Sequence, residues 1–111
     1  MLNDSGIQKS AIITGASRGI GLAIAEKLAA QGMALTISSR TAADLDALVP
    51  HLRGLGAHSV TPIAADMADP DSVPAILERH REVNTDLSAL IVNAGVGSSG
   101  DIADYALRRT P

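Results

Sequence analysis

Short runs of consecutive apolar residues alternate along this chain with longer stretches in which apolar residues recur every three or four positions. Runs of the first kind predict strands buried on both faces, and stretches of the second kind predict helices with one apolar stripe. Residues 9–14, centred on Ala11, Ile12 and Ile13, make the first run, and residues 34–38 the second. A third spans residues 59–64, where Pro62 cannot donate to a ladder and so predicts an edge strand. The fourth covers residues 87–92. Between the first two runs, Ile20, Ile24 and Leu28 predict a helix, with Gly32 placed to stop it. Leu45, Leu48, Val49 and Leu52 predict a second, opened by Thr41 with Asp44 three residues on in a capping-box-like spacing. Pro50 falls inside that stripe and predicts a kink or an early end, with Gly54 and Gly56 in the loop beyond. Val73, Ile76, Leu77 and His80 predict a third helix starting near Asp69-Pro70-Asp71-Ser72, which tolerates Pro74 only in its first turn.

The resulting order, βαβαβαβ, predicts an α/β fold: a parallel sheet with right-handed crossovers and helices on its faces. Residues 1–8 are expected as a flexible lead-in and residues 9–95 as one α/β domain. Residues 96–111 are expected as a Gly/Ser-rich loop followed by a weakly helical segment around Ile102, Tyr105 and Ala106.

At 111 residues, 46 % hydrophobic and 19 % charged, the chain suits one globular domain and is unlike a disordered one. Tyr105 is its single aromatic residue, so the core is aliphatic and bases have no stacking platform. A net charge of −3 offers no basic field to a phosphate backbone, which argues against nucleic-acid partners. The absence of cysteine excludes disulfides and thiolate centres. The polar N-terminus lacks a signal core, and no apolar run approaches the roughly 20 residues of a membrane span. A cytoplasmic protein is expected.

The richest chemistry lies in Thr14-Gly15-Ala16-Ser17-Arg18-Gly19-Ile20-Gly21, the turn between the first strand and the first helix. Glycines at 15, 19 and 21 allow a sharp turn and the close approach of a bulky anion, and the helix's first N–H groups then point at that anion. Simple turn chemistry is the competing explanation of such a loop; a P-loop is not, because no Gly-Lys-Ser/Thr follows.

The octet resembles the fingerprint of the short-chain dehydrogenase/reductase family, where it binds the diphosphate of NAD or NADP. The resemblance covers roughly residues 9–106 and implies a three-layer Rossmann-type parallel sheet in strand order 3-2-1-4. In such a sheet the ligand crevice lies where strand order reverses, between the first and fourth strands. Gly15, Ser17, Arg18, Gly19, Ile20 and Gly21 would then share one crevice with Arg40, Asp66, Met67, Asn93, Ala94 and Gly95. Asp66-Met67 looks like the family's acidic position that contacts adenine, although Asp66 alone equally suits a turn or helix cap. Asn93-Ala94-Gly95 is similar to the family's Asn-Asn-Ala-Gly motif, with Val92 standing in for the first Asn.

Arg40 ends the second strand, where an acid would select the ribose hydroxyl of NAD and a guanidinium suits the 2′-phosphate of NADP. One charge-assisted contact of about 1.5–3 kcal/mol corresponds to roughly ten- to a hundredfold in preference. Arg18 can reach the same phosphate, so NADP(H) is the expected cofactor; the competing assignment for both arginines is a solvated surface charge.

Family members reduce carbonyls or oxidise secondary alcohols by hydride transfer, with a Tyr as acid/base, a Lys four residues on, a Ser and an Asn. Here Arg109 follows Tyr105 at that spacing, and no Tyr-x-x-x-Lys exists. Tyr105 is expected to pack a short helix, and Ser98-Ser99 to form a flexible connection. His51, His58 and His80 have no metal-ligand spacing and are expected to face solvent or lie on a helix face. The chain is thus expected to be a cofactor portion of a reductase, truncated before its catalytic residues and inactive alone. Without a fifth strand, Ala89-Leu90-Ile91-Val92 would present an apolar edge that favours self-association or pairing with a related subunit. The alternative is a non-catalytic nucleotide-binding or interaction module pairing through that edge.

Overall fold

The computed structural model describes residues 1–93. They form β1 (Ser10–Ile13), α1 (Gly19–Ala30), β2 (Ala34–Ser39), α2 (Ala42–Leu55), β3 (Ser59–Ala64), α3 (Ser72–Val83) and β4 (Ala89–Ile91). Every pairing is parallel and the order across the sheet is β3-β2-β1-β4, the Rossmann-like α/β arrangement expected. β1 and β2 are buried at every position, which is why neither alternates between apolar and charged residues. Pro62 does lie on the edge strand, where β3 needs a partner on one side only.

The two faces of the sheet differ in chemistry. Ala11, Ile13, Leu35, Ile37 and Val60 pack with Ala25, Ala29, Leu45, Leu48 and Leu52 into an aliphatic core beneath α1 and α2. The alternate residues face α3. There His80, only 2 % exposed, is enclosed by hydroxyls: Nδ1 lies 2.7 Å from Thr36 Oγ1, and Nε2 lies 2.9 Å from both Ser10 Oγ and the Asp86 carbonyl oxygen. An Nε2–H tautomer satisfies this set, donating toward Asp86 O and Ser10 Oγ while Nδ1 accepts from Thr36. Of the two placements expected, solvent-facing or on a helix face, the second holds: His80 shares the buried face of α3 with Ile76.

Several local expectations are corrected. In α1 the fully buried residues are Gly21, Ala25 and Ala29; Ile24 and Leu28 flank them and Ile20 is 39 % exposed. Small residues thus occupy the centre of the buried face, while Ile24 and Leu28 pack against the core from its flank. In α2 no side-chain bond caps the helix at Thr41, so the Thr41–Asp44 box does not form. Of the kink or early end expected at Pro50, the early end does not occur: the helix runs on through Gly54 to Leu55. Pro50 and Asp46, four residues earlier, are both exposed, so the carbonyl that loses its intrahelical partner faces water, while Leu48 and Leu52 continue the buried stripe. β4 is shorter than residues 87–92, and Leu87 is exposed. Pro74 falls in the first turn of α3, as required.

The opening residues, expected to be a flexible lead-in, carry a set of bonds. Asn3 Oδ1 accepts the N–H groups of Ser5 and Ile7 at 2.9 and 3.0 Å, and Leu2 bridges to Gln8. Asn3 Nδ2 donates to Asp86 Oδ1 at 3.2 Å, which ties this turn to the segment before β4. Asp86 also accepts from Ser88 Oγ and from Ser10 N–H through Oδ2. The hydrogen bond from Ser88, then those from Ser10 and Asn3, hold its carboxyl below the usual aspartate value against the opposing effect of desolvation.

A folded-state value depressed below the unfolded one, about 3.9, contributes stability that is present above that range and lost as pH falls through the folded value. Thermal melts of the chain and of Asp86→Asn should therefore differ most above about pH 5 and converge as the pH falls below the unfolded aspartate value of about 3.9. A difference that stays constant across that range would mean the carboxylate's charge is irrelevant to these contacts.

Candidate functional site

The carboxyl ends of the strands meet around the turn that joins β1 to α1. Thr14 N–H donates to Ile91 O at 2.9 Å and Ala16 N–H to Ser38 O at 3.0 Å, so the chain leaving β1 is tied to strands on both sides. Asn93 N–H donates to Thr14 Oγ1 at 2.7 Å, and that hydroxyl in turn donates to Asn93 O at 3.3 Å. Buried Asn93 is thereby fixed beneath the glycine turn.

Gly15 and Gly19 both have φ of +60°, a left-handed backbone that side chains disfavour. A Cβ on Gly15 would also meet Asn93 Nδ2 at 3.0 Å. Gly21 is needed for another reason: its backbone is ordinary helix, but a Cβ there would stand 2.3 Å from Gly15 O. Its lack of a side chain lets α1 begin directly against the turn.

That helix begins uncapped. Arg18 occupies the N-cap with extended backbone, its side chain makes no capping bond, and the first turn contains no acid. Among the described residues, the N–H groups of Ser17, Arg18, Gly19, Ile20 and Gly21 have no acceptor; the first to find one is Leu22, bonded to Arg18 O at 3.3 Å. Orphan donors at the positive end of a helix dipole are the physical definition of an anion site. Ile20, partly exposed, borders it.

The neighbouring strand supplies cations and a strap. Ser17 Oγ lies 3.2 Å from Ser39 Oγ, which also accepts Thr41 N–H at 3.4 Å. Arg40 follows directly and is exposed, as is Arg18. Among the described residues the ion pairs are His51–Glu26 and Arg79–Glu82, so neither guanidinium is neutralised by a carboxylate. A groove of about 290 Å³ opens beside the loop, with Ser17 and Arg18 on one wall and Asp44 and His51 on α2 opposite.

Asp66 follows the carboxyl end of β3 in an exposed turn, its Oδ1 accepting Ala68 N–H at 2.9 Å and its carbonyl accepting Asp69 N–H at 2.9 Å. Met67 is half-buried beside it. Ala94 and Gly95 lie outside the described residues, as do Ser98, Ser99, Tyr105 and Arg109. Thr14 and Ser39 were not among the expected site residues, although each was legible as a hydroxyl at the carboxyl end of a buried strand. No cluster of three or more His, Cys, Asp or Glu residues among the described residues could hold a metal. No helix among them is long and apolar enough to cross a membrane.

A Gly-rich turn, an uncapped helix and converging strand ends in 3-2-1-4 order agree with the comparison to known families: residues 9–110 match the short chain dehydrogenase model. The chain belongs to the short-chain dehydrogenase family. Oxidoreductase UcpA from Escherichia coli strain K12 is 38 % identical over 98 residues, which are 88 % of this chain and 36 % of that protein. Among solved members of the family, L-sorbose reductase from Gluconobacter frateurii, complexed with NADPH and L-sorbose, superposes with a TM-score of 0.75. It is 38 % identical, over 83 % of this chain and 35 % of the reductase. The 3-oxoacyl-[acyl-carrier protein] reductase from Brucella melitensis, in complex with NAD, gives a TM-score of 0.72 at 35 % identity, over 83 % of this chain and 35 % of its own. The chain thus spans about a third of the length of these relatives.

If Gly21 is required by the close approach to Gly15, Gly21→Ala should cost about 1–3 kcal/mol through overpacking. Gly54→Ala, at a helical position with nothing within 4 Å of the added carbon, should instead stabilise by up to about 1 kcal/mol. Urea denaturation of both variants checks the opposite signs; effects of the same sign would contradict the role assigned to Gly21.

Proposed function

We propose that this chain binds NADP(H) in the crevice at the carboxyl ends of its strands, as the cofactor portion of an oxidoreductase that interconverts carbonyls and secondary alcohols. The observation that carries this is the run of five N–H groups, Ser17 to Gly21, that have no acceptor among the described residues, at a helix start with no side-chain cap. The residues fit the group: the glycine turn would hold the diphosphate, and a Cβ at Gly15 or Gly21 would fill the space that makes the turn possible. Arg18 and Arg40, both without carboxylate partners among the described residues, would hold the 2′-phosphate. Asp66 and Met67 would border the adenine, and Asn93, with Ala94 and Gly95, would line the crevice at β4. When bound, the nicotinamide supplies or accepts the hydride.

Relatives support a nicotinamide nucleotide of either kind, since one is solved with NADPH and another with NAD. The preference for NADP(H) rests on Arg40 and Arg18. Hydride transfer itself is assigned to the complete family fold: the present chain, with Arg109 four residues after its only Tyr105, lacks the Tyr-x-x-x-Lys pair and is proposed to be inactive alone, in a cytoplasmic setting. A second function, as an interaction module that self-associates or pairs with a related subunit, is favoured by β4, whose outer edge no strand pairs among the described residues.

Fluorescence titration with NADPH and NADH separates the two. Tighter binding of NADPH is expected, and Arg40→Ala should weaken NADPH about ten- to a hundredfold while leaving NADH nearly unchanged. Equal affinities unaffected by that substitution would contradict the assignment. A folded sample that binds neither nucleotide and sediments as an oligomer would leave the interaction module.

A further inference from the structure

We propose that Asp44 is a specificity-determining residue of the groove beside the glycine turn: its carboxylate opposes the 2′-phosphate and holds down the affinity for the phosphorylated nucleotide. The proposal rests on the NADP(H) assignment above and adds a residue that works against it.

Asp44 stands where a helix-capping acid is expected, three residues after Thr41, yet no side-chain cap forms at this helix start. Thr41 N–H is taken instead by Ser39 Oγ at 3.4 Å. Among the described residues the Asp44 carboxylate has neither a hydrogen-bond donor nor an ion-pair partner, although the residue is half-buried. It lines the same groove of about 290 Å³ as Ser17 and Arg18, and a charge at such a surface is screened by salt.

The other titratable group facing that groove is His51, whose Nε2 is engaged by Glu26 Oε2 at 2.6 Å. Arg18 is therefore the free cation of the groove among the described residues, and Asp44 the free anion. Leu22 and Leu48 supply low-dielectric walls that lengthen the reach of both. A ribose 2′-phosphate carries about −1.5 to −2 charge near neutral pH, whereas the hydroxyl of NAD carries none. An acid lining this groove without an ion-pair partner among the described residues therefore repels one nucleotide and is indifferent to the other.

The test is titration of the full chain with NADPH and with NADH at low and high ionic strength, comparing wild type, Asp44→Asn and Asp46→Asn. Asp46 is an exposed acid on the same helix that does not line the groove. Asp44→Asn should tighten NADPH roughly two- to fivefold at low salt, the range of a single exposed charge interaction. It should leave NADH unchanged, and the gain should shrink at high salt; Asp46→Asn should move neither nucleotide. An NADPH-to-NADH ratio that Asp44→Asn does not alter, or a change common to both nucleotides, would overturn the proposal while leaving a wild-type preference for NADPH intact. A wild type that binds neither nucleotide removes the underlying assignment and this proposal together.

Discussion

The contact on which the rest of the structure depends is the one between the start of α1 and the turn that precedes it. With Gly21 lacking a side chain, the helix backbone can rest against Gly15 O, in space where a Cβ would be 2.3 Å from that oxygen. This close approach leaves the first N–H groups of α1 uncapped and aimed over the strand ends. Burying polar donors without partners is unfavourable, so the arrangement persists at a surface where water or an anion can meet them. Thr14 and Asn93 brace the turn from β4, and Ser38 and Ser39 brace it from β2.

The two ends of the sheet serve different purposes. At the carboxyl end, polar groups are left without partners among the described residues: five N–H groups, two guanidinium groups and the Asp44 carboxylate. At the amino end they are saturated. Ser10, Thr36, His80 and Asp86 bond to one another, and Asn3 brings the opening residues into the same set. A protein of this size has few kcal/mol of net stability to lose, and polar groups fully partnered at one end are consistent with polar groups held ready at the other.

Much of this was legible in the sequence because it depended on local pattern. Continuous apolar runs identified the buried strands, Pro62 identified the edge, and the spacing of Gly15, Gly19 and Gly21 identified the turn. What escaped was decided by packing. Ile20, Ile24 and Leu28 have the spacing of a buried stripe, but Gly21, Ala25 and Ala29 take the centre, Ile24 and Leu28 pack against the core from its flank, and Ile20 is left exposed. Pro50 was expected to disturb α2, yet its missing bond faces solvent. The spacing put His80 on the packing face of α3 with Ile76, but its partners were not legible, because they come from β1, β2 and the segment before β4, with sequence separations that no periodicity exposes. Asp44 had the spacing of a cap and is not one, since Ser39 reaches Thr41 first.

The most direct measurement is an amide NMR titration of the chain with NADPH, following the N–H resonances of Ser17 to Gly21. If these acceptor-free donors receive the diphosphate, they should move downfield together, more than the amides of α2 or α3, and saturate along a single binding curve. NADPH bound with these five resonances unmoved would contradict the claim that the uncapped helix start is the site.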